Sequence, residues 1–368
     1  MVNVFNTSCI GASHLKAGKP CQDFSLSWNS GVSAIIAVAD GHGSEEHFRS
    51  GRGSRFAAEA AVQCIKELIL LKTDRLHDPD AALEALEKSI IAVWYEKIAN
   101  DVQGDPIDGD AVSPYGTTLL AAAMTGHYWF AIQIGDGKCV VIDGGGNAAQ
   151  PVPWDDRCFL NWTTSLCDED AVRNFRHFYS EAQPSADKLP SAGELLSAGE
   201  LPSAIFLGSD GIDDSFPLNE NDEHLAGFYR NVFNNFINEG LHNGKKQLKE
   251  MLPLLTQKGS GDDVSVAGII RISVNKRKPS WSKTLVNITR QELEDVLSYV
   301  DNSGKLHWLI GSSDLEKGAR FKNIDCRRLG IMLVENADSG KYIIDLDGGG
   351  WESYETIDAL VEAGWVLD

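Results

Sequence analysis

Six short apolar runs punctuate the chain up to residue 270: Ala34–Val38, Leu119–Met124, Tyr128–Ile134, Cys139–Ile142, Ala204–Leu207 and Val264–Ile270. Each is long enough for a buried strand and too short for a core helix. Between the first and second lie two stretches of helical period, Ala57, Ala61, Cys64, Leu68, Leu71 and then Leu83, Leu86, Ile90, Trp94, Ile98. The second has a start signal, Asp78 as N-cap followed by Pro79 at the first helical position. Two more helices are expected over Asn221–Gly240 and His242–Thr256. Strands and helices thus come in segregated groups. That order predicts an α+β fold in which helices cover mainly antiparallel sheets, rather than a strictly alternating parallel α/β fold.

The near repeat LPSAGELLSAGELPSA over Leu189–Ala204 reads as a low-complexity surface insertion. The basic, proline-containing stretch Val274–Ser280 breaks the pattern, so a domain boundary is expected there, with one domain over 1–275 and a small α/β module over 281–368. The module is predicted to open with a capping box, Thr289 and Glu292, ahead of Leu293, Val296, Leu297 and Val300 on one helical face. Strand-like runs follow at Leu306–Ile310, Gly330–Val334 and Tyr342–Leu346, then a short helix ending near Gly364. DGGG at 143–146 is followed by no helix and is read as a hairpin turn; DGGG at 347–350 lacks the Lys-Ser/Thr of a phosphate loop and two ligands of a calcium loop, and is read as a turn.

Charge narrows the function classes. The 368 residues hold 33 basic and 53 acidic side chains, a net charge of −20. Such a balance argues against a nucleic-acid groove and against electrostatic binding to an anionic membrane, and it suits divalent cations. No run of about 18 apolar residues and no charged-then-apolar leader is present, so membrane spanning and secretion are not expected. Seven cysteines without a C-x-x-C pair suggest neither a disulfide framework nor a structural zinc site, and a reducing cytoplasmic setting fits.

The most informative regularity is that four apolar strands are expected to end in an acidic turn: AVADGHG at 37–43, IQIGDGK at 132–138, FLGSDGIDD at 206–214 and GSGDDVSV at 259–266. One Asp-Gly beside a strand is an ordinary turn. Four of them, if the strand ends converge, crowd Asp40, Asp136, Asp210 and Asp262 into one place, which is costly unless cations neutralise them. Mg²⁺ or Mn²⁺ is the natural remedy, since these hard ions take carboxylates and backbone carbonyls, and a pair of them can share and deprotonate a water. That is hydrolase chemistry.

With CQD at 21–23, DGHG at 40–43, YGTT at 115–118, GDG at 135–137, SDGI at 209–212 and GDDVSV at 261–266, the sequence resembles the metal-dependent serine/threonine protein phosphatases, the PPM or type 2C family, over roughly residues 5–272. GASH at 11–14, QIGDG and NWTTSLCDEDAV at 161–172 are similar to a bacterial branch of it. The resemblance implies a β-sandwich flanked by helix pairs, in α-β-β-α layers. It implies hydrolysis of phosphoserine and phosphothreonine in proteins by a metal-bridging hydroxide, with no phosphoenzyme. Two core Mn²⁺ or Mg²⁺ ions and a third, weaker one are implied. By position, Asp40 resembles the carboxylate that bridges both ions and Gly41 the residue that offers its carbonyl to the second. Asp210 and Asp262 resemble ligands of the first, and Asp136 and Asp214 contacts of the third. Asp23 resembles the acid that hydrogen-bonds metal water, and His42 the general acid for the departing alkoxide.

Two departures stand out. Gly18 occupies the place of the family's phosphate-gripping arginine, leaving Lys16, Lys19 or His14 as substitutes, none with arginine's bidentate fork. Gln22-Asp23 replaces the commoner Glu-Asp pair. The stretch 144–203 falls where the family has its variable flap. The partners implied are a phosphoprotein substrate and a cognate serine/threonine kinase, with no nucleic acid and no membrane; the sequence leaves the oligomeric state open. A catalytically weak or silent member that binds phosphoproteins as a regulator is the alternative, and the 281–368 module is expected to regulate or target.

Overall fold

The computed structural model describes residues 2–72, 75–159, 162–182, 201–217, 219, 221–271, 287, 289–291, 293–294, 318–324, 328–333, 342–347 and 350–367. The chain divides into two compact units, Met1–Ser273 and Val274–Asp368. The expected boundary stretch 274–280, most of the repeat at 189–204 and the run at 306–310 lie outside the described residues.

In chain order the first unit contains β1 (Val2–Cys9), α1 (Ala12–Ala17), β2 (Phe24–Asn29), β3 (Ala34–Ala39), α2 (Ser50–Leu71), α3 (Pro79–Gly104), β4 (Leu119–Met124), β5 (Tyr128–Ile134), β6 (Lys138–Ile142), β7 (Ala148–Ala149), α4 (Ala171–Asn174), β8 (Arg176–Glu181), β9 (Ala204–Gly208), α5 (Asp210–Asp213), α6 (Asn221–Lys258) and β10 (Val264–Arg271). All six apolar runs form strands. The Asp78 side chain accepts a hydrogen bond from the Ala81 amide at 3.1 Å, so α3 begins at the expected cap. The two helices expected after residue 221 form one long element, α6, broken at Gly240, whose φ of 78° lies in the left-handed region. The first DGGG closes the β6–β7 hairpin, with Asp143 Oδ1 accepting from the Gly145 and Asn147 amides.

Two five-stranded antiparallel sheets, ordered β1-β10-β9-β6-β7 and β2-β3-β4-β5-β8, pack face to face. Ile36, Val38, Leu120, Val141, Leu207 and Ile269 fill the space between them. The outer face of the second sheet is covered by α2 and α3, through Ile65, Leu83, Ile90 and Trp94. Trp94 is fully buried and donates its Nε1–H to the Gly53 carbonyl at 3.0 Å, tying the two helices together. The outer face of the first sheet is covered by α6, through Tyr229, Phe236 and Leu252. The result is an α-β-β-α stack in which each fully buried Ile, Leu or Phe side chain contributes roughly 1.5–3 kcal/mol. Strands β1, β2 and β8 leave little apolar imprint, because their side chains are mostly half-buried; β1 (VNVFNTSC) lies at a sheet edge and is recruited by pairing with β10 along its whole length.

The second unit contains β11 (Gly318–Asn323), β12 (Leu329–Leu333), β13 (Tyr342–Leu346), β14 (Trp351–Tyr354), α7 (Ile357–Glu362) and β15 (Trp365–Leu367). Its strands form an antiparallel sheet ordered β14-β13-β12-β11-β15. Leu293, Phe321, Met332, Ile344, Leu360 and Trp365 make its core. Of the second DGGG only Asp347 and Gly350 are described; the Leu346 amide donates to the Gly350 carbonyl at 2.9 Å. Thr289, expected as an N-cap, is itself helical, as is Asn287; Glu292, its expected capping-box partner, lies outside the described residues. Among the described residues no helix is long and apolar enough to cross a membrane, and the six described cysteines are free.

Candidate functional site

Strand direction gathers the motifs. In one sheet β3 and β5 both run antiparallel to β4, so Asp40 and Asp136 leave their strands at the same end. In the other, β9 ends at the same edge where β10 begins. Asp262 therefore precedes its strand rather than ending it, and antiparallel pairing brings it beside Asp210. Asp23 immediately precedes β2, whose Phe24 pairs with Ala39, so it faces Asp40 across the ladder.

Asp23, Asp40 and Asp210 lie close enough to perturb one another's ionisation. Burial, then the charges of Asp210 and Asp263, push the Asp23 carboxyl up to about 8. Burial and the neighbouring Asp23 and Asp210 push Asp40 well above the usual carboxylate range. Asp210 is pushed up to about 7 by burial, with Asp136, Asp262 and Asp214 adding repulsion. The Ser209 hydroxyl donates to Asp23 Oδ2 at 2.9 Å, but Oδ1 of Asp23, of Asp210 and of Asp213 is buried without a hydrogen-bond partner. Buried carboxylate oxygens left unpaired are costly, and this donor set, all oxygen and anionic, fits a hard divalent cation. The Gly41 backbone lies against the same cluster. A Cβ there would stand 2.6 Å from the Gln22 carbonyl oxygen and 2.7 Å from that of Ser50, so only glycine fits.

Asp136 and Asp214 lie at the rim. Burial raises the carboxyl of each, and for Asp136 its polar surroundings and the charges of Lys138 and Arg176 oppose it. Lys138 sits 3.6 Å from Asp213, over the ring of Trp154. Asp262, more than half exposed, has Oδ1 3.7 Å from His14 Nε2. Together with Asp263 these two make the trio of described residues whose ligand atoms all lie within 4.8 Å of one another. Both oxygens of buried Asp263 are already taken, each at 2.6 Å, by the Gly11 and Gln22 amides. The trio is therefore a clamp that ties GASH and CQD to the β10 turn.

His42 is part-buried, and burial followed by the neighbouring His47 lowers its imidazole to about 4. The two rings lie 4.9 Å apart. A Cβ on Gly116 would stand 2.5 Å from His47 Nδ1 and 2.8 Å from His42 Cδ2, so glycine in YGTT makes room for the pair. Thr117 and Thr118 of that motif hold the Asp40 backbone, the Thr117 hydroxyl and the Thr118 amide both donating to its carbonyl.

Of the basic substitutes for the missing arginine, His14 is engaged with Asp262 and Asp263, and Lys16 is exposed on α1. Lys19 Nζ reaches the Gly43 carbonyl at 3.4 Å, next to His42. Sequence reasoning passed over Asp263, Ser209, Asp213, Lys138 and Arg176. The doubled Asp in GDDV, the second acid in SDGIDD and the Lys after GDG were the available signals. Arg176 carried none, and its guanidinium is committed to the Gly135 and Pro153 carbonyls.

A family model described as protein phosphatase 2C matches residues 10–253. The chain is 25% identical over 179 residues to serine/threonine-protein phosphatase 3 of Escherichia coli K12, an alignment spanning 47% of this chain and 66% of that protein, just under two thirds of its length. Among solved structures it is similar to the catalytic domain of the serine/threonine protein phosphatase PstP in complex with two manganese ions, at 16% identity and a TM-score of 0.45 over 73% of this chain and 97% of the other. It is similar also to the serine/threonine phosphatase Stp1 of Staphylococcus aureus, at 15% identity and a TM-score of 0.45 over 74% of this chain and 95% of that one. The family model covers well over half of the chain and runs through the DGHG, GDG and SDG turns, so the chain belongs to the protein phosphatase 2C family.

Proposed function

We propose that the first unit hydrolyses phosphoserine and phosphothreonine in proteins with the help of Mn²⁺ or Mg²⁺. The observation that carries this reading is the convergence, at one end of the sandwich, of aspartates whose buried oxygens lack partners. Asp40, the Gly41 carbonyl, Asp210 and Asp262 would hold two ions, and Asp136 with Asp214 a third. Bound there, the ions would acidify a coordinated water and neutralise the phosphoryl oxygens. Asp23 would accept a hydrogen bond from the attacking water and orient it in line with phosphorus. Lys19 supplies a point charge to the phosphate beside the DGHG turn. His42 gives a proton to the serine or threonine oxygen as the P–O bond breaks.

The substrate is a phosphoprotein, and its partner enzyme a serine/threonine kinase that installs the phosphate; we place both in the cytosol, where ATP is available to such a kinase. The test is hydrolysis of p-nitrophenyl phosphate with Mn²⁺ and with chelator. Activity should depend on the metal and fall on the order of 100-fold or more in Asp40→Asn and in Asp210→Asn, while circular dichroism stays unchanged. Near-normal turnover in either variant rules the assignment out.

A further inference from the structure

The stretch NWTTSLCDEDAV contributes residues to three of the site's turns. Thr164 Oγ1 accepts from the Gly135 amide at 3.0 Å, one residue before Asp136. Ser165, buried to all but 3% of its surface, places its hydroxyl oxygen 2.7 Å from His42 Nε2, across 123 residues of sequence. The segment is itself fixed: the Ser165 amide donates to Asp168 Oδ2 at 2.8 Å, and the Leu166 amide to the Thr117 carbonyl at 2.9 Å. The Thr117 amide donates to Ser165 Oγ at 3.2 Å, and the Thr117 carbonyl lies 3.1 Å from that oxygen. Among the described residues Nδ1 of His42 makes no hydrogen bond of its own.

We propose that Ser165 is a positioning residue for catalysis: its buried hydroxyl, itself fixed by the Thr117 backbone, holds the His42 ring by Nε2 and so sets where that ring stands at the DGHG turn. The inference rests on the reading of His42 as general acid. Ser165 Oγ accepts from the Thr117 amide and lies within hydrogen-bond reach of the Thr117 carbonyl, so the hydroxyl stands fixed where it meets His42 Nε2. Thr117 also bonds the Asp40 carbonyl, at 2.7 Å, so the same residue that steadies Ser165 steadies the carboxylate cluster.

The experiment uses the full chain with Mn²⁺ and compares a phosphoserine peptide with p-nitrophenyl phosphate, whose leaving group needs no proton. For Ser165→Ala, kcat on the peptide should fall about 10- to 100-fold with KM within about threefold, and on the aryl phosphate it should fall about ten times less. Across aryl phosphates, the dependence of kcat on leaving-group pKa should steepen. His42→Ala should show the same selectivity more strongly, and adding Ser165→Ala to it should cost little further. Selectivity in His42→Ala without it in Ser165→Ala overturns the role of Ser165 alone. Equal loss on both substrates in His42→Ala overturns the general-acid reading and this inference with it. Should Ser165→Ala not fold, Ser165→Cys fills nearly the same space with a poor acceptor and must show the same split. Loss of both activities alike there reduces Ser165 to packing.

Discussion

Asp23 and Asp210 sit where burial opposes their ionisation, and their carboxyls are pushed up to about 8 and about 7. The sign of the consequence follows from proton counting. Between about pH 4, where an unfolded aspartate titrates, and pH 8, the folded chain without metal binds more protons than the unfolded one, so its stability falls as pH rises through that window. Chelated protein should melt on the order of 5 °C lower at pH 8 than at pH 5.5, and Mn²⁺ should raise the melting temperature more at pH 8, where the carboxylates are bare. Differential scanning fluorimetry at both pH values checks this; an equal Mn²⁺ shift at each removes the cluster as the binding site. Asp263, one residue from Asp262, makes the contrast within the site, since its two oxygens are spent on the Gly11 and Gln22 amides. Two adjacent acids in one turn thus divide the work, the exposed one facing the cluster and the buried one closing the backbone.

At the scale of elements, local chemistry decided where helices begin and loop geometry decided where they break. The Asp78 side chain satisfies the Ala81 amide, which would otherwise be unpaired in the first turn of α3. Asp78→Ala should lower stability by about 1 kcal/mol in urea unfolding without altering turnover, because α3 packs on the outer face of its sheet and carries no side chain of the site. A loss of activity at unchanged stability would contradict that division. The strands behave differently. Runs such as AIIAVA are buried on both faces and legible in sequence, whereas VNVFNTSC needs β10 as a partner before it is a strand at all.

For the whole molecule, the first unit contains every residue assigned to chemistry, and the second has its own sheet and its own core around Phe321 and Trp365. A chain ending at Ser273 is therefore expected to fold and to hydrolyse p-nitrophenyl phosphate within about threefold of the full chain, while activity on a natural phosphoprotein falls further if the second unit docks the substrate and raises its effective concentration. Steady-state rates of both proteins on both substrates check it. Insoluble protein, or loss of the metal-dependent small-substrate activity, would mean that the second unit completes the first.

Sequence by itself determined the buried strands, the paired helices, the Asp78 cap and the four acidic turns, because each is written in neighbouring residues through periodicity, run length or turn chemistry. It identified Asp40, Asp136, Asp210 and Asp262 as a set, since an aspartate beside a glycine recurs next to each strand. Only the tertiary structure decided that Asp262 enters the cluster from the start of β10, that Asp263 clamps a segment 252 residues away, and that Ser165 reaches His42. Those contacts are made by single polar side chains between distant segments. A lone serine or a second aspartate leaves no periodic trace in the chain; its partner is chosen by strand order and register, which bring the ends of two sheets to one edge.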